Sequence, residues 1–276
     1  RPPRSTLFPY TTLFRSHPEL EAEEHDFIFL GKNHYIVQAN WIKELKEGSE
    51  SFLYVDNVIQ EIKDGKVILD WVASDNKDFI DNNFAYKNIF VSDSHGKYKI
   101  PVLIDNKNKK TGKYENKEIV NDNYKKCAGD ICNEFHINSM AIDPVDNNLL
   151  ASFKYKNAVI KIDRKTGEIL WQLGGNRDDF KLAEDEKFKF QHHAHFEDND
   201  TLFIFDNVFK NTSRILKYTF DKEHKNIVKK ETINLKDFIY VMGSVQKIDD
   251  DKMIVSCGNS FKDAIKILSK IKKNTT

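Results

Sequence analysis

Several things are scarce in this chain of 276 residues, and each scarcity excludes something. There is no excess charge of either sign: Lys plus Arg number 43 and Asp plus Glu number 43. That balance removes the electrostatic reason to expect nucleic acid or an anionic membrane as a partner. The charged residues, 31% of the chain, are scattered rather than blocked, as on a solvated surface. No stretch approaches the roughly 20 apolar residues that a membrane-spanning helix needs. Cysteine is limited to Cys127, Cys132 and Cys257. Cys127 and Cys132 can close a small disulfide loop in an oxidising compartment, or stand as thiols in a reduced one. Helical signals are few. The segment FKDAIKILSKIKK (261–273) reads as a short amphipathic helix or as a strand.

What is present is apolar and aromatic material in quantity. Hydrophobic residues make 39% of the chain and aromatics 12%, with 20 Phe and 10 Tyr, enough to exclude wholesale disorder. The opening residues are a separate matter. The run TLFPYTTLFRS (6–16) resembles the in-frame translation of a sequencing-adapter DNA, so residues 1–16 are set aside and residues 17–276 are read as the domain. On that reading the native start and any signal peptide are missing, and the domain is a truncated one.

Internal repetition is the strongest signal. HDFIFLGKNHYIV (25–37), HINSMAIDPVDNNLLASF (136–153), HHAHFEDNDTLFIFDN (192–207) and GSVQKIDDDKMIVSC (243–257) resemble one another. Each passes from a polar, often His-led start through an apolar strand and a polar turn to a second apolar strand, the pattern of a β-hairpin. A second hairpin follows in VIQEIKDGKVILDW (58–71) and VIKIDRKTGEILWQL (159–173), with Asp/Gly turns and a closing Trp71 or Trp171. A weaker copy is RILKYTFDKEHKNIVKK (214–230). One unit is therefore four short antiparallel strands, and such units repeated radially make a β-propeller. The spacing from His136 to His192 nearly equals that from His192 to Ser244, and His25 to His136 is about twice as long. That places a further unit between residues 80 and 125, with a Lys/Asn-rich loop at 106–126. The expected fold is all-β, a propeller of about five to six blades of four antiparallel strands each. A β-sandwich is the alternative, but it does not explain the His-led recurrence.

In a propeller the innermost strands surround the axis, so residues at equivalent repeat positions converge. His25, His136 and His192 hold such positions. Three imidazoles can fill a polar channel, bind zinc with an open fourth position, or perform nucleophilic and acid–base catalysis near neutral pH. The spacing alone leaves all three open.

The segments HINSMAIDPVDNNLLASFKYKNAVIKIDRKTGEILWQLGG (136–175), FQHHAHF (190–196) and LFIFDN (202–207) resemble the bacterial arylsulfotransferase family over most of residues 25–258. The D-x-x-T-G-x-x-x-W element by itself is shared with other propellers, quinoprotein dehydrogenases among them. The resemblance implies a six-bladed propeller that moves a sulfuryl group from one phenol ester to another phenol, without a nucleotide donor. It places the nucleophile at His192, further site histidines at His136 and His25, and a sulfate-binding asparagine at Asn138. Where the family carries an arginine, this chain has Lys154, which keeps the charge but loses the planar, bidentate fork. The reaction so implied is ping-pong through a sulfohistidine, with His25, His136 and Lys154 stabilising developing charge. Ser244 stands where other repeats have His and is a candidate substrate contact or turn residue. By strand alternation His193 and His195 are expected on the face opposite His192. No cofactor and no metal are expected, the partners are small aryl sulfates and phenols, and a homodimer is an open alternative to a monomer. The resemblance also implies a periplasmic or exported location. Two rival readings are a non-catalytic binding propeller that has drifted at Lys154 and a three-His metalloenzyme.

Overall fold

A computed structural model describes residues 20–47, 50–76, 89–92, 98–99, 131–133, 135–209, 212–236, 238–239, 242–249, 252–258 and 265–269. Residues 1–16, Cys127 and the loop 106–126 lie outside these, so the expectations placed on them, including a Cys127–Cys132 bond, stay expectations. The described residues hold almost no helix, and their strands form four sheets. The chain divides into two compact units. The first takes in the chain up to Pro101, Ile119–Ile137 and Lys165–Gly167, and the second includes Asn138–Arg164 and Glu168 onward.

The first unit is built on β1 (Leu20–Gly31), β2 (His34–Glu47), β3 (Glu50–Lys63) and β4 (Lys66–Val72), an antiparallel meander. Asp64 and Gly65, both at positive φ (50° and 74°), turn β3 into β4. A two-residue Asp-Gly turn suits this because its twist matches that of the strands it joins. The expected four-strand unit is present but extended. β7 (Ile131–Asn133) pairs in parallel with the first part of β3 and carries β5 (Ile89–Ser92) and β6 (Tyr98–Lys99), making seven strands in the sheet. β5 and β6 are the described part of the unit expected between residues 80 and 125.

The second unit holds three sheets. β8 (Ile137–Ile142), β9 (Leu149–Phe153), β10 (Ala158–Ile162) and β11 (Ile169–Gly174) form one four-stranded meander. β12 (His192–Phe196), β13 (Thr201–Phe209), β14 (Thr212–Phe220) and β15 (Ile227–Asn234) form the next. β16 (Ser244–Asp249), β17 (Lys252–Ser256) and β18 (Ile265–Ser269) form the last, and within the 261–273 segment residues 265–269 are a strand paired with β17. Strand periodicity builds the core between sheets. Leu202 and Ile204 of β13 face Leu150, Val159, Trp171 and Leu173 of the preceding sheet. The alternate residues Phe203 and Phe205 face Val245, Met253 and Val255 of the following one. The middle sheet is thus covered on both faces, which explains its apolar inner strands. Its outer strand β15 alternates exposed and half-buried residues instead.

Candidate active site

His192 opens β12 and is buried, with 7% of its surface exposed. Its Nδ1 lies 2.7 Å from Asn207 Oδ1 and 3.1 Å from the Phe190 carbonyl. The Asn207 amide is oriented by its own contacts: Nδ2 donates to the carbonyls of Ile239 (2.6 Å) and Met242 (2.5 Å). Both described partners of His192 Nδ1 are therefore acceptors, an arrangement that suits a proton on Nδ1 and, in the neutral ring, a lone pair on Nε2.

The residue before His192 anchors it. Gln191 is fully buried, and its Nε2 lies within donating distance of Ser152 Oγ (3.1 Å), the Phe153 carbonyl (3.1 Å) and the Ala158 carbonyl (3.0 Å). Its own carbonyl accepts from Asn138 Nδ2 at 2.6 Å. Asn138, 7% exposed, thus joins the start of β8 to the start of β12, while its Oδ1 finds no hydrogen-bond partner among the described residues. The preceding loop is held by a buried ion pair, Arg214 Nε to Asp206 Oδ2 at 2.7 Å. Arg214 also donates to the carbonyls of Asp185 and Lys187, and Asp206 Oδ1 accepts from the Lys189 N–H (3.0 Å).

Lys154 follows β9 directly, in a short 3-10 turn whose Phe153 carbonyl is held by Gln191. Its ammonium lies 5.2 Å from the centre of the Tyr155 ring, and that ring meets Phe190 edge-on at 6.2 Å. The side chain is 8% exposed, and no carboxylate among the described residues pairs with it. Burial pushes the ammonium down to about 8. An uncompensated buried cation is costly by itself and favourable opposite an anionic ligand.

The expected alternation at the histidines of β12 needs correction. His192 pairs with Phe205 and His195 with Phe203, so an irregularity lies between them, and His193 sits at φ 51°. Phe203 and Phe205 share a face, so this bulge puts His195 on the same face as His192 rather than the opposite one. The His193 ring contacts His195 at 4.2 Å and its Nδ1 accepts from the Val245 N–H at 3.3 Å. Burial, with the His195 charge beside it, pushes His193 down to about 4. Ser244, half-buried, opens β16 opposite Ser256. It follows Gly243, which holds φ 104° and where a Cβ would lie only 2.6 Å from the Phe205 ring.

The other two histidines belong to the first unit, where they meet. His25 and His136 contact edge to face, with ring centres 4.9 Å apart. His25 Nδ1 is 2.5 Å from Glu23 Oε1, and Asn40 Nδ2 donates to Glu23 Oε2 at 2.5 Å. Asn57 Nδ2 donates to Asn40 Oδ1 (2.7 Å), and the Ile137 N–H to Asn57 Oδ1 (3.3 Å). The network runs from His25 to the residue after His136. His136 itself holds φ 53°, a left-handed conformation that a non-glycine residue keeps only under surrounding constraint. Among the described residues no three His, Cys, Asp or Glu side chains gather as a metal site.

A family model described as arylsulfotransferase (ASST) matches residues 16–262. The chain belongs to the arylsulfotransferase family. No curated protein matches it closely enough to add a relative. No helix among the described residues is long and apolar enough to cross a membrane. Three residues around the arylsulfotransferase histidines escaped the reading of the sequence. Gln191 and Asn207 lie inside the motifs FQHHAHF and LFIFDN, but nothing in those strings shows that they clamp His192. Glu23 stands two residues before His25, a spacing that alone marks no contact.

Proposed function

We propose that the protein transfers a sulfuryl group from a phenolic sulfate ester to a phenol by a ping-pong route through His192. Family membership supports the reaction class. The observation that carries the reading on this chain is Lys154, a buried ammonium with no described carboxylate to neutralise it. A sulfate ester supplies the missing anion.

The residues divide the work as follows. His192 Nε2 attacks sulfur, the S–O(aryl) bond breaks, and the donor leaves as phenolate. Lys154 holds the sulfuryl oxygens as charge redistributes. Asn138 has a second amide N–H to offer a sulfuryl oxygen, and Ser244 adds a hydroxyl. His25, oriented by Glu23, and His136 stabilise charge on the departing phenolate; these two roles rest on the repeat pattern and the family resemblance. The acceptor phenol, its proton given up to water, then attacks sulfur, and the N–S electron pair returns to Nε2. An exported location accords with the family.

The test is nitrophenolate release from 4-nitrophenyl sulfate with and without phenol, by the chain and by His192→Ala. Release that needs phenol and vanishes in the variant supports the reading, as does a sulfuryl mass gained by the protein on donor alone. Folded protein that releases nothing, or a variant as fast as the parent, overturns it and leaves a binding propeller.

A further inference from the structure

We propose that Asn207 is the positioning residue of the nucleophile: it holds His192 as the Nδ1–H tautomer and, being uncharged, leaves the sulfated ring positively charged and so a ready sulfuryl donor. The proposal rests on the sulfuryl-transfer reading above.

Geometry fixes the first half. Asn207 is fully buried, and its two amide hydrogens go to Ile239 O and Met242 O. Rotating the amide would set its oxygen against two carbonyl oxygens and leave the buried Oδ1 without a donor, a loss of roughly 1–3 kcal/mol. Oδ1 is thereby held 2.7 Å from His192 Nδ1 and can only accept. The clamp is itself braced. Ser213 Oγ contacts the carbonyls of Asn207 (2.9 Å) and Ile239 (3.1 Å) and accepts from the Ile239 N–H (2.7 Å). Residues 239 and 242 thus meet β13 and β14 at the amide that aims the ring.

Charge fixes the second half. When Nε2 forms its bond to sulfur and the aryl oxide departs with the S–O electron pair, the ring keeps its Nδ1 proton and becomes cationic. Both described partners of Nδ1, Asn207 Oδ1 and Phe190 O, are neutral. The carboxylate next in sequence, Asp206, is turned instead to Arg214 and the Lys189 N–H. A carboxylate at Nδ1 would form a charge-assisted bond about twice as strong as a neutral one. It would stabilise the sulfated ring and make its nitrogen a poorer leaving group. A neutral amide fixes tautomer and angle without lowering the intermediate, so the acceptor phenol meets an activated sulfur.

Three variants and one spectrum test this. Nitrogen-15 histidine spectra of the resting chain, with His192 assigned by its absence in His192→Gln, report which ring nitrogen bears the proton. The expected result is Nδ1–H in the parent and a tautomer mixture in Asn207→Ala. In Asn207→Ala, kcat for donor cleavage is expected to fall about 10–100-fold with KM nearly unchanged. In Asn207→Asp, sulfated protein is expected to accumulate on donor, with transfer to phenol becoming the slow step. A parent spectrum showing Nε2–H, or a folded Asn207→Ala that keeps both the Nδ1–H signature and the parent rate, overturns the proposal. Because the spectrum needs no turnover, a chain that transfers nothing would refute the sulfuryl-transfer reading while the tautomer assignment is still decided on its own.

Discussion

Replacing Lys154 with methionine should make the protein more stable and less able to hold an aryl sulfate. Burial lowers the Lys154 ammonium from 10.5 to about 8. At 1.36 kcal/mol per tenfold, keeping it charged in the folded state at neutral pH costs roughly 3 kcal/mol. The sign follows from linkage. A base whose folded value is depressed subtracts stability while protonated, and the deficit disappears as pH rises from about 8 to 10.5. Methionine has similar length and no charge, so Lys154→Met should gain about 1–3 kcal/mol at pH 7. For a domain of this size that is an upward shift of about 3–10 °C in Tm. The ligand side goes the other way. An aryl sulfonate, whose C–S bond is not transferred, should stabilise the parent by about 2.7 kcal/mol at a hundredfold excess over Kd. The variant should lose most of that increment, because truncating a buried charge partner costs about 2–5 kcal/mol of binding. Melting curves of both proteins with and without 4-methylbenzenesulfonate read both effects. If Lys154→Met melts lower than the parent, yet the sulfonate still raises it by the parental increment, then Lys154 is a structural cation and not the anion site.

Two further outcomes follow from the same geometry. The kcat/KM for 4-nitrophenyl sulfate reports the free enzyme, so above pH 8 it should fall about tenfold per pH unit as Lys154 loses its proton. Lys154→Arg should keep that rate flat to pH 10, and a parent profile already flat there would remove Lys154 from substrate binding. Arg214→Met should lower stability by about 3–5 kcal/mol, read as the urea midpoint, since it leaves the buried Asp206 carboxylate unpaired. Adding Asp206→Leu should recover part of the loss, and a single variant as stable as the parent would show that the pair does not hold the loop before His192.

The sequence by itself determined the strand content and the hairpins. Alternating apolar residues and Asp/Gly or Asn turns are local signals, and β1–β2, β3–β4, β8–β9, β10–β11, β12–β13, β14–β15 and β16–β17 lie where those signals put them. It also marked His192 at a strand start, because repetition lines up equivalent positions without knowledge of contacts, whereas Asn138 and Lys154 were marked by the family resemblance alone. Tertiary structure decided the rest. β7 joins β3 across a long stretch of chain, a pairing that no local pattern specifies. A positive φ at His193 breaks the alternation and brings His195 to the face of His192, and backbone irregularity of that kind leaves no period to read. The proton on His192 Nδ1 depends on an amide 15 residues away, whose orientation depends on two carbonyls further along the chain. Lys154 is a lysine like any other in the sequence, and only its burial away from carboxylates turns it into a candidate anion site. Periodicity is a property of neighbours along the chain, whereas tautomer, charge and desolvation belong to neighbours in space.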